Sequence, residues 1–327
     1  MNFAVVGAGA IGAYIGGTLS AAGSHVTLIA RGAHLEAMQA HGVRVLSRGG
    51  DFEAHPAATD DISAIGDADV VFLALKAYSV PAMAPSIAAA MKPGASVVWA
   101  QNGIPYWYFH GHGGRLEGTT LQSVDPGGVI AGSMPDGSAI GCVIYLAAEI
   151  AEPGVIRHVN GARLLIGEPD GTSSERCVAI CEALEAAGFT ALVDDRIRDQ
   201  LWLKAIGNVA CNPVSALTGA TLGELGRLPA VVEELRSMFA EVAQVTDRLG
   251  VEYPISLEER LQAAFQVGDH KPSMLMDREA GKPLEYECLT GAVVELARLV
   301  DVPVPRIEAI HACVGLLDAL TSETATR

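Results

Sequence analysis

The sequence predicts an α/β amino-terminal domain with a mostly parallel sheet, followed by a mostly α-helical domain. The chain has 327 residues, 50% of them hydrophobic, which is too long for one ordinary core. Its first half alternates short apolar strand patterns with helical patterns, as in a parallel α/β sheet. Its remainder carries apolar residues at helical spacing. We place the boundary near Asp195, which predicts domains at residues 1–195 and 196–327.

Four short apolar segments predict parallel strands in the first half. They lie at residues 3–6, 25–30, 69–75 and 96–100. A glycine turn and a helix to about Ala22 follow the first of them. Three further segments alternate or are β-branched, at residues 139–146, 155–158 and 163–166. Pro153-Gly154 and Asn160-Gly161 separate these three, which predicts an antiparallel edge with tight turns.

Helical patterns begin at about Thr172. Thr172 and Glu175 have the spacing of a capping box, and Gly188 is expected to end the helix. Its apolar stripe consists of Cys177, Ile180, Cys181 and Leu184. After a short strand at residues 191–193, we expect only helices and loops. The six cysteines include no close CxxC pair, which argues against a disulfide framework, and the two in this stripe are interpreted as core residues.

Charge and hydropathy exclude several classes of partner. The formal net charge is -16 and no run of basic residues offsets it, so we expect neither nucleic acid nor a membrane surface as a partner. Residues 3–24 carry no charge and are similar to a signal peptide or a membrane span. However, no basic residue precedes them and their glycines recur at fixed spacing. We therefore expect a cytoplasmic protein without a membrane segment.

A glycine motif follows the first predicted strand and opens the first predicted helix. Gly7, Gly9 and Gly12 form GxGxxG, with Ala10 and Ile11 before the third glycine. In this context the motif predicts a Rossmann-type dinucleotide site. The first glycine permits the tight turn, the second lets the backbone approach the pyrophosphate, and the third lets helix and strand pack closely. The amino terminus of the helix adds partial positive charge for the phosphates.

The end of the second strand favours NADPH over NADH. Enzymes that bind NAD usually have Asp or Glu there, which binds the ribose 2′-hydroxyl. This strand, HVTLIA, is followed by Arg31, whose guanidinium can pair with a 2′-phosphate. Lys76, at the end of DVVFLAL, is a second candidate cation at the same edge of the sheet. For both residues the alternative is a solvated strand end.

Residues 202–217, WLKAIGNVACNPVSAL, contain the strongest catalytic candidates. Lys204, Asn208 and Asn212 are four apart, so on a helix they form one polar stripe among mainly apolar neighbours. Reduction of a ketone creates an alkoxide, which a lysine ammonium can protonate and stabilise. The asparagines can donate hydrogen bonds to substrate oxygens. A structural polar seam is the alternative, and Pro213 is expected to end or kink the helix.

Three further polar residues are weaker candidates. Asn102 follows the strand SVVWA, so we expect it at the carboxyl edge of the sheet beside the nicotinamide. Ser273 and Glu285 flank a predicted helix, although Glu285 could simply begin the last amphipathic helices. His110 and His112 have no third ligand at motif spacing, so no metal site is expected.

Taken together, these motifs resemble the ketopantoate reductase family (2-dehydropantoate 2-reductases), part of the wider 6-phosphogluconate-dehydrogenase-like superfamily. The resemblance covers nearly the whole chain. It depends on VVGAGAIGAYIGG, LIARG, LALKAY, AQNG, WLKAIGNVACNPVSALTG, SMLMD and KPLEYECLTGAVVELA, in this order. The family transfers a hydride from NADPH to the 2-keto group of ketopantoate and so produces pantoate for pantothenate synthesis. The resemblance implies that activity for this chain.

The resemblance also implies roles for particular residues. Lys204 corresponds to the family's catalytic lysine, the general acid, and Glu285 to the acidic residue that holds the substrate. Asn208 and Asn212 match the substrate-binding asparagines, and Ser273 matches the serine that binds the substrate carboxylate. The positions that contact the cofactor are matched by Arg31, Lys76 and Asn102, and Asn102 is also expected to contact the substrate.

Three features differ from the family pattern on the substrate side. His270 stands where some members have asparagine, Leu222 replaces a further asparagine, and the segment after Asn102 is long and aromatic. A reductase of another branched or aromatic 2-keto acid is therefore an alternative. A non-catalytic NADP(H)-binding sensor is a more distant alternative, which the stripe containing Lys204 argues against. The apolar faces of the second domain would suit a homodimer, although core packing would use the same residues.

Overall fold

The computed structural model describes residues 1–325, which divide into two compact units. Unit 1 consists of Met1–Gln101, Trp107–Thr119 and Gly128–Ile197. Unit 2 consists of Asn102–Tyr106, Thr120–Gly127 and the chain from Arg198 onward. Two short segments from the first half of the sequence therefore pack with the second unit.

Unit 1 contains a ten-stranded sheet. Its strands are β1 (Asn2–Val6), β2 (His25–Ile29), β3 (Val43–Leu46), β4 (Phe52–Ala54), β5 (Ala57–Thr59), β6 (Val70–Leu73), β7 (Ser96–Trp99), β8 (Ala139–Glu152), β9 (Val155–Gly167) and β10 (Thr190–Val193). Their order across the sheet is β4-β3-β9-β8-β7-β6-β1-β2-β5, and β10 pairs with β9. The prediction of a mostly parallel sheet is confirmed at its centre, where β7, β6, β1 and β2 run parallel.

The position of β1 decides where a ligand can bind. It lies between β6 and β2, so the chain first crosses the sheet in one direction and later in the other. Residues 3–6 pair with both neighbouring strands, and their side chains are at most 1% exposed. In open α/β sheets, ligands bind beyond the carboxyl ends of the strands at such a reversal. The residues that follow β1, β2 and β6 are placed there.

The prediction for residues 139–166 is wrong in two respects. The strands β8 and β9 form one long antiparallel hairpin, and it lies inside the sheet because β9 also pairs with β3 and β10. Pro153-Gly154 connects the two strands, as expected. Asn160-Gly161 makes no turn between strands, since it lies within β9 beside an irregularity in the pairing, where Gly161 has φ +72°.

Five helices belong to unit 1. They are α1 (Ala10–Ala21), α2 (Gly32–His41), α3 (Val80–Ala90), α4 (Val129–Ser133) and α5 (Glu175–Ala186). The predicted apolar stripe of α5 is buried, and its two cysteines lie in the hydrophobic core. The predicted cap is wrong, because Ser174 rather than Thr172 accepts a hydrogen bond from the Cys177 N–H. Gly188, with φ +93°, follows the helix end as predicted.

Unit 2 is built from helices and loops over its described residues, as predicted. Its helices are α6 (Ile197–Thr218), α7 (Leu222–Leu225), α8 (Pro229–Arg248), α9 (Leu257–Gln266), α10 (Ser273–Glu279), α11 (Ala292–Leu299) and α12 (Pro305–Ala325), although the first residue of α6 is grouped with unit 1. The helix α6 does not end at Pro213, which lies inside it. In residues 1–325, no helix combines the length and the apolar composition that a membrane crossing requires.

Candidate active site

Four chain segments leave the central strands at the same edge of the sheet in unit 1. Gly7 follows β1, Arg31 comes shortly after β2, and Lys76 comes shortly after β6. Gln101 comes after β7, and its side-chain Nε2 donates a hydrogen bond of 2.7 Å to the Leu75 carbonyl oxygen. Because these strands are parallel, their carboxyl ends share this edge. Arg31 is exposed here and Lys76 is half-buried.

The glycine turn after β1 is too tightly packed for a side chain at two of its positions. The Gly7 N–H donates a hydrogen bond of 3.1 Å to the Ile29 carbonyl oxygen. Gly7 has φ +97°, and a Cβ there would lie 2.8 Å from the Ala74 carbonyl carbon. A Cβ at Gly12 would collide with the Gly7 carbonyl oxygen and lie 2.9 Å from Val5 Cγ1. The turn therefore brings α1 close to β1.

The second glycine of the motif faces open space. A Cβ at Gly9 would meet nothing within 4 Å. Gly9 is the N-cap residue of α1, no side chain caps this helix, and its first turn contains no acidic residue. The N–H groups of Ala10, Ile11 and Gly12 have no acceptor within the helix, because a helix cannot pair its own first-turn donors. Open space, free donors and the helix dipole together fit an anion such as the pyrophosphate of a dinucleotide.

His34, which the sequence patterns did not single out, lies close to this turn. Its Nδ1 accepts a hydrogen bond of 2.9 Å from the Gly154 N–H. Its Nε2 is buried and has no hydrogen-bond partner among the described residues. Burial lowers the pKa of His34, and the Ala8 carbonyl beside the ring opposes that shift. The neutral imidazole thus connects the first turn of α2 to Gly154. In the sequence, the one feature that could have indicated His34 was its position three residues after Arg31.

In unit 2, Lys204, Asn208 and Asn212 lie along one face of α6, as their spacing predicts. Lys204 and Asn208 are half-buried, and Asn212 is 7% exposed. The apolar residues between them are buried: Ala205, Ile206, Val209, Ala210 and Cys211. A helix on a solvated surface would not be apolar on its remaining faces. The three residues therefore form a polar stripe on a helix whose apolar residues between them are buried.

Glu285 is 9% exposed and lies two residues before an unusual helical turn. Residues Glu287–Gly291 form a π-helix that leads into α11. The preceding Leu284 N–H donates a hydrogen bond of 2.7 Å to Asp318 Oδ1 on α12, which fixes the chain at this point. Single π-helical turns are frequent at functional sites. An ionised carboxylate here can only accept hydrogen bonds, which suits a ligand hydroxyl.

The segment that carries Asn102 packs against the same π-helix. The Ile104 N–H donates a hydrogen bond of 2.9 Å to the Cys288 carbonyl oxygen. Gly103 has φ +84°, and a Cβ there would lie 2.8 Å from Cys288 Sγ. That sulfur also lies 3.7 Å from the Glu285 carbonyl oxygen. Unit 2 therefore brings the segments of Asn102 and Glu285 together, which no local pattern in the sequence indicated.

Two of the positions that differ from the family pattern are in contact. The Leu222 N–H donates a hydrogen bond of 3.1 Å to the His270 carbonyl oxygen, and the Gly223 N–H donates one of 2.8 Å to the Gly268 carbonyl oxygen. Both Leu222 and His270 are half-buried. Ser273, also half-buried, is the first residue of α10 and comes three residues after His270. The two differing positions thus form one patch of unit 2.

The aromatic segment after Asn102 has a packing role. Its aromatic side chains are buried: Tyr106, Trp107, Tyr108 and Phe109. Within unit 1, the Trp107 ring occupies the space beside Gly141, where a Cβ would lie 2.8 Å from its Cη2 atom. Burial of these rings explains the aromatic composition without a substrate. In the part of the chain that the structure describes, no group of three or more His, Cys, Asp or Glu residues could hold a metal ion.

Comparison with known proteins identifies the family. The family model for ketopantoate reductase PanE/ApbA matches residues 3–171, and the model for its C-terminal part matches residues 196–318. A 2-dehydropantoate 2-reductase of Mesorhizobium japonicum is 45% identical over 318 residues, which cover 97% of this chain and 98% of the relative. A 2-dehydropantoate 2-reductase of Halobacterium salinarum is 30% identical over 319 residues, with coverage of 97% and 98%.

A solved structure agrees with these sequence relationships. The crystal structure of a protein from Ralstonia solanacearum, assigned to the ketopantoate reductases, matches with a TM-score of 0.91 and 39% identity over 98% of each chain. The predicted fold class, a Rossmann-type sheet domain followed by a mostly helical domain, is confirmed. From the two family models and the relative at 45% identity, the chain belongs to the ketopantoate reductase family of NAD(P)-dependent oxidoreductases.

Proposed function

We propose that this protein reduces the 2-keto group of 2-dehydropantoate (ketopantoate) to pantoate with NADPH, in pantothenate biosynthesis. The observation that carries the proposal is the stripe of Lys204, Asn208 and Asn212, which combines one ammonium and two amides among buried apolar residues of one helix. The names of the relatives at 45% and 30% identity support the same substrate. In this proposal residues 1–195 hold the cofactor and residues 196–327 hold the substrate.

The cofactor residues are those at the carboxyl edge of the sheet. Gly7 and Gly9 would leave room for the pyrophosphate, and the first-turn N–H groups of α1, those of Ala10, Ile11 and Gly12, would donate hydrogen bonds to it. The choice of NADPH depends on Arg31, which is exposed after β2 at a position where NAD-binding proteins usually have a carboxylate. Lys76 adds a second cation after β6, and Asn102, next in the chain after Gln101, contacts the nicotinamide and the substrate.

The residues of unit 2 supply the proton and orient the substrate. When bound, NADPH supplies the hydride that converts the keto carbon to an alcohol carbon. Lys204 stabilises the negative charge that develops on the keto oxygen and donates a proton to it, which yields the 2-hydroxy acid. The amides of Asn208 and Asn212 donate hydrogen bonds to substrate oxygens, and the Ser273 hydroxyl donates one to the carboxylate. Glu285 accepts a hydrogen bond from the substrate hydroxyl.

A reductase of a different 2-keto acid is the second candidate. One observation favours it: Leu222 and His270, which replace asparagines of the family pattern, meet in one patch. The isobutyl side chain of Leu222 cannot donate the hydrogen bond that an amide would, and His270 presents imidazole nitrogens instead of an amide, so this patch suits a different substrate side chain. A non-catalytic NADP(H) sensor is the third candidate. The lysine on α6 counts against it, because a sensor needs no proton donor.

The proposal also includes a cytoplasmic location. The six cysteines, all of them in the described part of the chain, form no disulfide, and a reducing compartment would keep them in this state. Five of the six are buried, and burial raises the pKa of the Cys181 thiol to about 12, which makes it unreactive. Formation of a homodimer stays a prediction from the sequence.

Consumption of NADPH with a panel of 2-keto acids tests the proposal. The panel contains ketopantoate, an unbranched acid, other branched acids and an aromatic acid, and the absorbance of NADPH is followed for each. We expect the highest kcat/KM for ketopantoate, with the Lys204→Ala variant as the control for background oxidation. Preferential turnover of another acid would reassign the substrate, and binding of NADPH without turnover of any acid would favour the sensor.

A further inference from the structure

The guanidinium of Arg260, on α9, contacts the neighbouring helix α6. Its Nε donates a hydrogen bond of 2.7 Å to the Leu203 carbonyl oxygen on α6. Among the side chains that the structure describes, no carboxylate lies within ion-pair distance of its guanidinium. The residue is half-buried, so water screens its charge only in part. A guanidinium in such a position is suited to an anion that arrives from outside the protein.

Two other arginines of unit 2 make the contacts that are typical of a structural role, and Arg260 differs from both. Arg236 donates hydrogen bonds of 2.9 and 2.8 Å to the carboxylate of Glu258, which also lies on α9. Arg278 donates one of 2.6 Å to the Ala216 carbonyl oxygen, in the last turn of α6, where basic side chains commonly cap a helix. Leu203 lies in the first half of α6, so Arg260 caps no helix end. A role in folding alone therefore explains Arg260 poorly.

The position of the Arg260 guanidinium depends on a glycine of α6. A Cβ at Gly207 would lie 2.8 Å from Arg260 Cζ and 3.2 Å from its Nη1, and would collide with its Nη2. Only a residue without a side chain lets the guanidinium approach the helix backbone this closely. Glycine inside a helix costs about 1 kcal/mol relative to alanine. Gly207 therefore lowers the helix propensity of α6 in the segment that contains the proposed proton donor, Lys204.

This approach puts the guanidinium beside the polar stripe. Gly207 lies three residues after Lys204 and directly before Asn208, and residues three apart on a helix are neighbours on its surface. Cys211, one turn further along α6, lies close enough for the positive charge of Arg260 to affect its thiol. Burial raises the pKa of the Cys211 thiol to about 12, and the charge of Arg260 opposes that shift. Arg260 is thus a second cation next to the residue that donates the proton.

We propose that Arg260 binds the carboxylate of the substrate together with Ser273, an inference that rests on the proposed function; the two carboxylate oxygens can accept hydrogen bonds from both side chains. In a 2-keto acid the carboxylate carbon is bonded directly to the keto carbon. A group that binds the carboxylate must therefore lie close to the group that protonates the keto oxygen, as Arg260 does. Its Nε donates to the Leu203 carbonyl oxygen, so the two Nη atoms can donate a pair of hydrogen bonds to the carboxylate.

The test compares a 2-keto acid with its uncharged primary amide. The wild type, Arg260→Gln, Arg260→Lys and Gly207→Ala are assayed with ketopantoate and with ketopantoate amide at saturating NADPH. Loss of a charge-assisted contact made in both ground and transition states should raise KM for the acid about 10- to 100-fold in Arg260→Gln and leave kcat nearly unchanged. The KM for the amide should stay within about twofold, because an amide carries no charge to lose.

Two further variants keep the test independent of folding. Gly207→Ala displaces the guanidinium while it improves helix propensity, so it should raise KM for the acid alone and leave the thermal midpoint unchanged or higher. Arg260→Lys should recover part of the loss, since it keeps the charge and loses the fork. Arg236→Gln is the control, because it removes a guanidinium that contacts the same helix α9 and should not change the ratio of the two KM values.

The outcomes separate this inference from the proposed function. Equal losses for acid and amide in Arg260→Gln and Gly207→Ala would mean that Arg260 only supports α6, and unchanged values for both would mean that it has no role in binding. Either result, with an active wild type, overturns this inference alone. A wild type that reduces no 2-keto acid overturns the proposed function and this inference with it.

Discussion

Alanine at Gly9 and alanine at Gly12 should separate cofactor binding from folding, although both add one methyl group to the same turn. At Gly12 the new Cβ would collide with the Gly7 carbonyl oxygen and lie 2.9 Å from Val5 Cγ1. At Gly9 it would meet nothing within 4 Å, and the backbone angles there, φ -77° and ψ -156°, are accessible to alanine. Alanine at Gly12 therefore destabilises the folded chain itself. Alanine at Gly9 is strongly unfavourable only when a pyrophosphate occupies the space beside it.

These contacts give approximate magnitudes. Overpacking at Gly12 costs about 3 kcal/mol at the upper end of its usual range, and the better helix propensity of alanine recovers about 1 kcal/mol. The remaining loss of about 2 kcal/mol corresponds to a fall in Tm of about 4–8 °C for a domain of this size. At Gly9, alanine as a poorer N-cap costs at most about 1 kcal/mol. Displacement of the pyrophosphate removes one or two charge-assisted hydrogen bonds, so Kd for NADPH should rise about 10- to 100-fold.

Thermal unfolding without cofactor and fluorescence titration with NADPH measure the two effects. Gly9→Ala should keep nearly the wild-type Tm and lose affinity, whereas Gly12→Ala should lose several degrees before any cofactor is added. Wild-type affinity in Gly9→Ala would refute the assignment of the pyrophosphate to this turn. An equal fall in Tm for both variants would refute the distinction drawn from the space around the two glycines.

Three other outcomes are expected. Lys204→Ala should lower kcat by at least about 100-fold without a change in NADPH affinity, and surviving turnover would exclude it as the proton donor. Arg31→Ala should raise Kd for NADPH at least about 10-fold more than Kd for NADH in parallel titrations, whereas equal losses would remove the basis for cofactor choice. Burial pushes the pKa of Glu168 up, but hydrogen bonds from Arg176 and Ser174 outweigh it, so the pKa lies below its usual range. The stability that this contributes is present above the unfolded-state pKa of about 4.3 and is lost as the pH falls through the folded-state value. The Tm of the wild type should therefore fall more steeply with acid than that of Glu168→Gln.

Several elements could be predicted from the sequence because short-range rules determine them. The strand, glycine turn and helix at residues 2–21 follow from an apolar run and from two glycines, Gly7 and Gly12, where a side chain would collide with the neighbouring backbone. The stripe containing Lys204 follows from helical spacing, which places residues four apart on one face. In each case the residues that decide the structure lie within one or two turns of each other.

The errors have the opposite cause. The sequence of the β8–β9 hairpin is typical of a sheet edge. Its pairing with β3, more than 100 residues earlier, and with β7 and β10 places it inside the sheet. The strands β3 (VRVL), β4 (FEA) and β5 (AAT) contain a charged residue or lack large apolar ones, unlike the equally short β6 (VVFL). Their local pattern is therefore too weak to predict them. At α5, Thr172 and Ser174 are both acceptable caps by composition, and the local backbone selected Ser174.

The sequence by itself determined the order of the domains, the glycine turn after β1 and the face of α6 that carries Lys204, because each is encoded by period and turn stereochemistry over a few residues. The tertiary structure alone decided which distant residues meet. It placed Gly103 against Cys288, Leu222 against His270 and Arg260 over Gly207. Each of these contacts requires two complementary surfaces, and the local sequence of one surface does not indicate which distant segment packs against it. Local patterns therefore determine single turns and helix faces, and long-range packing determines which of them come together.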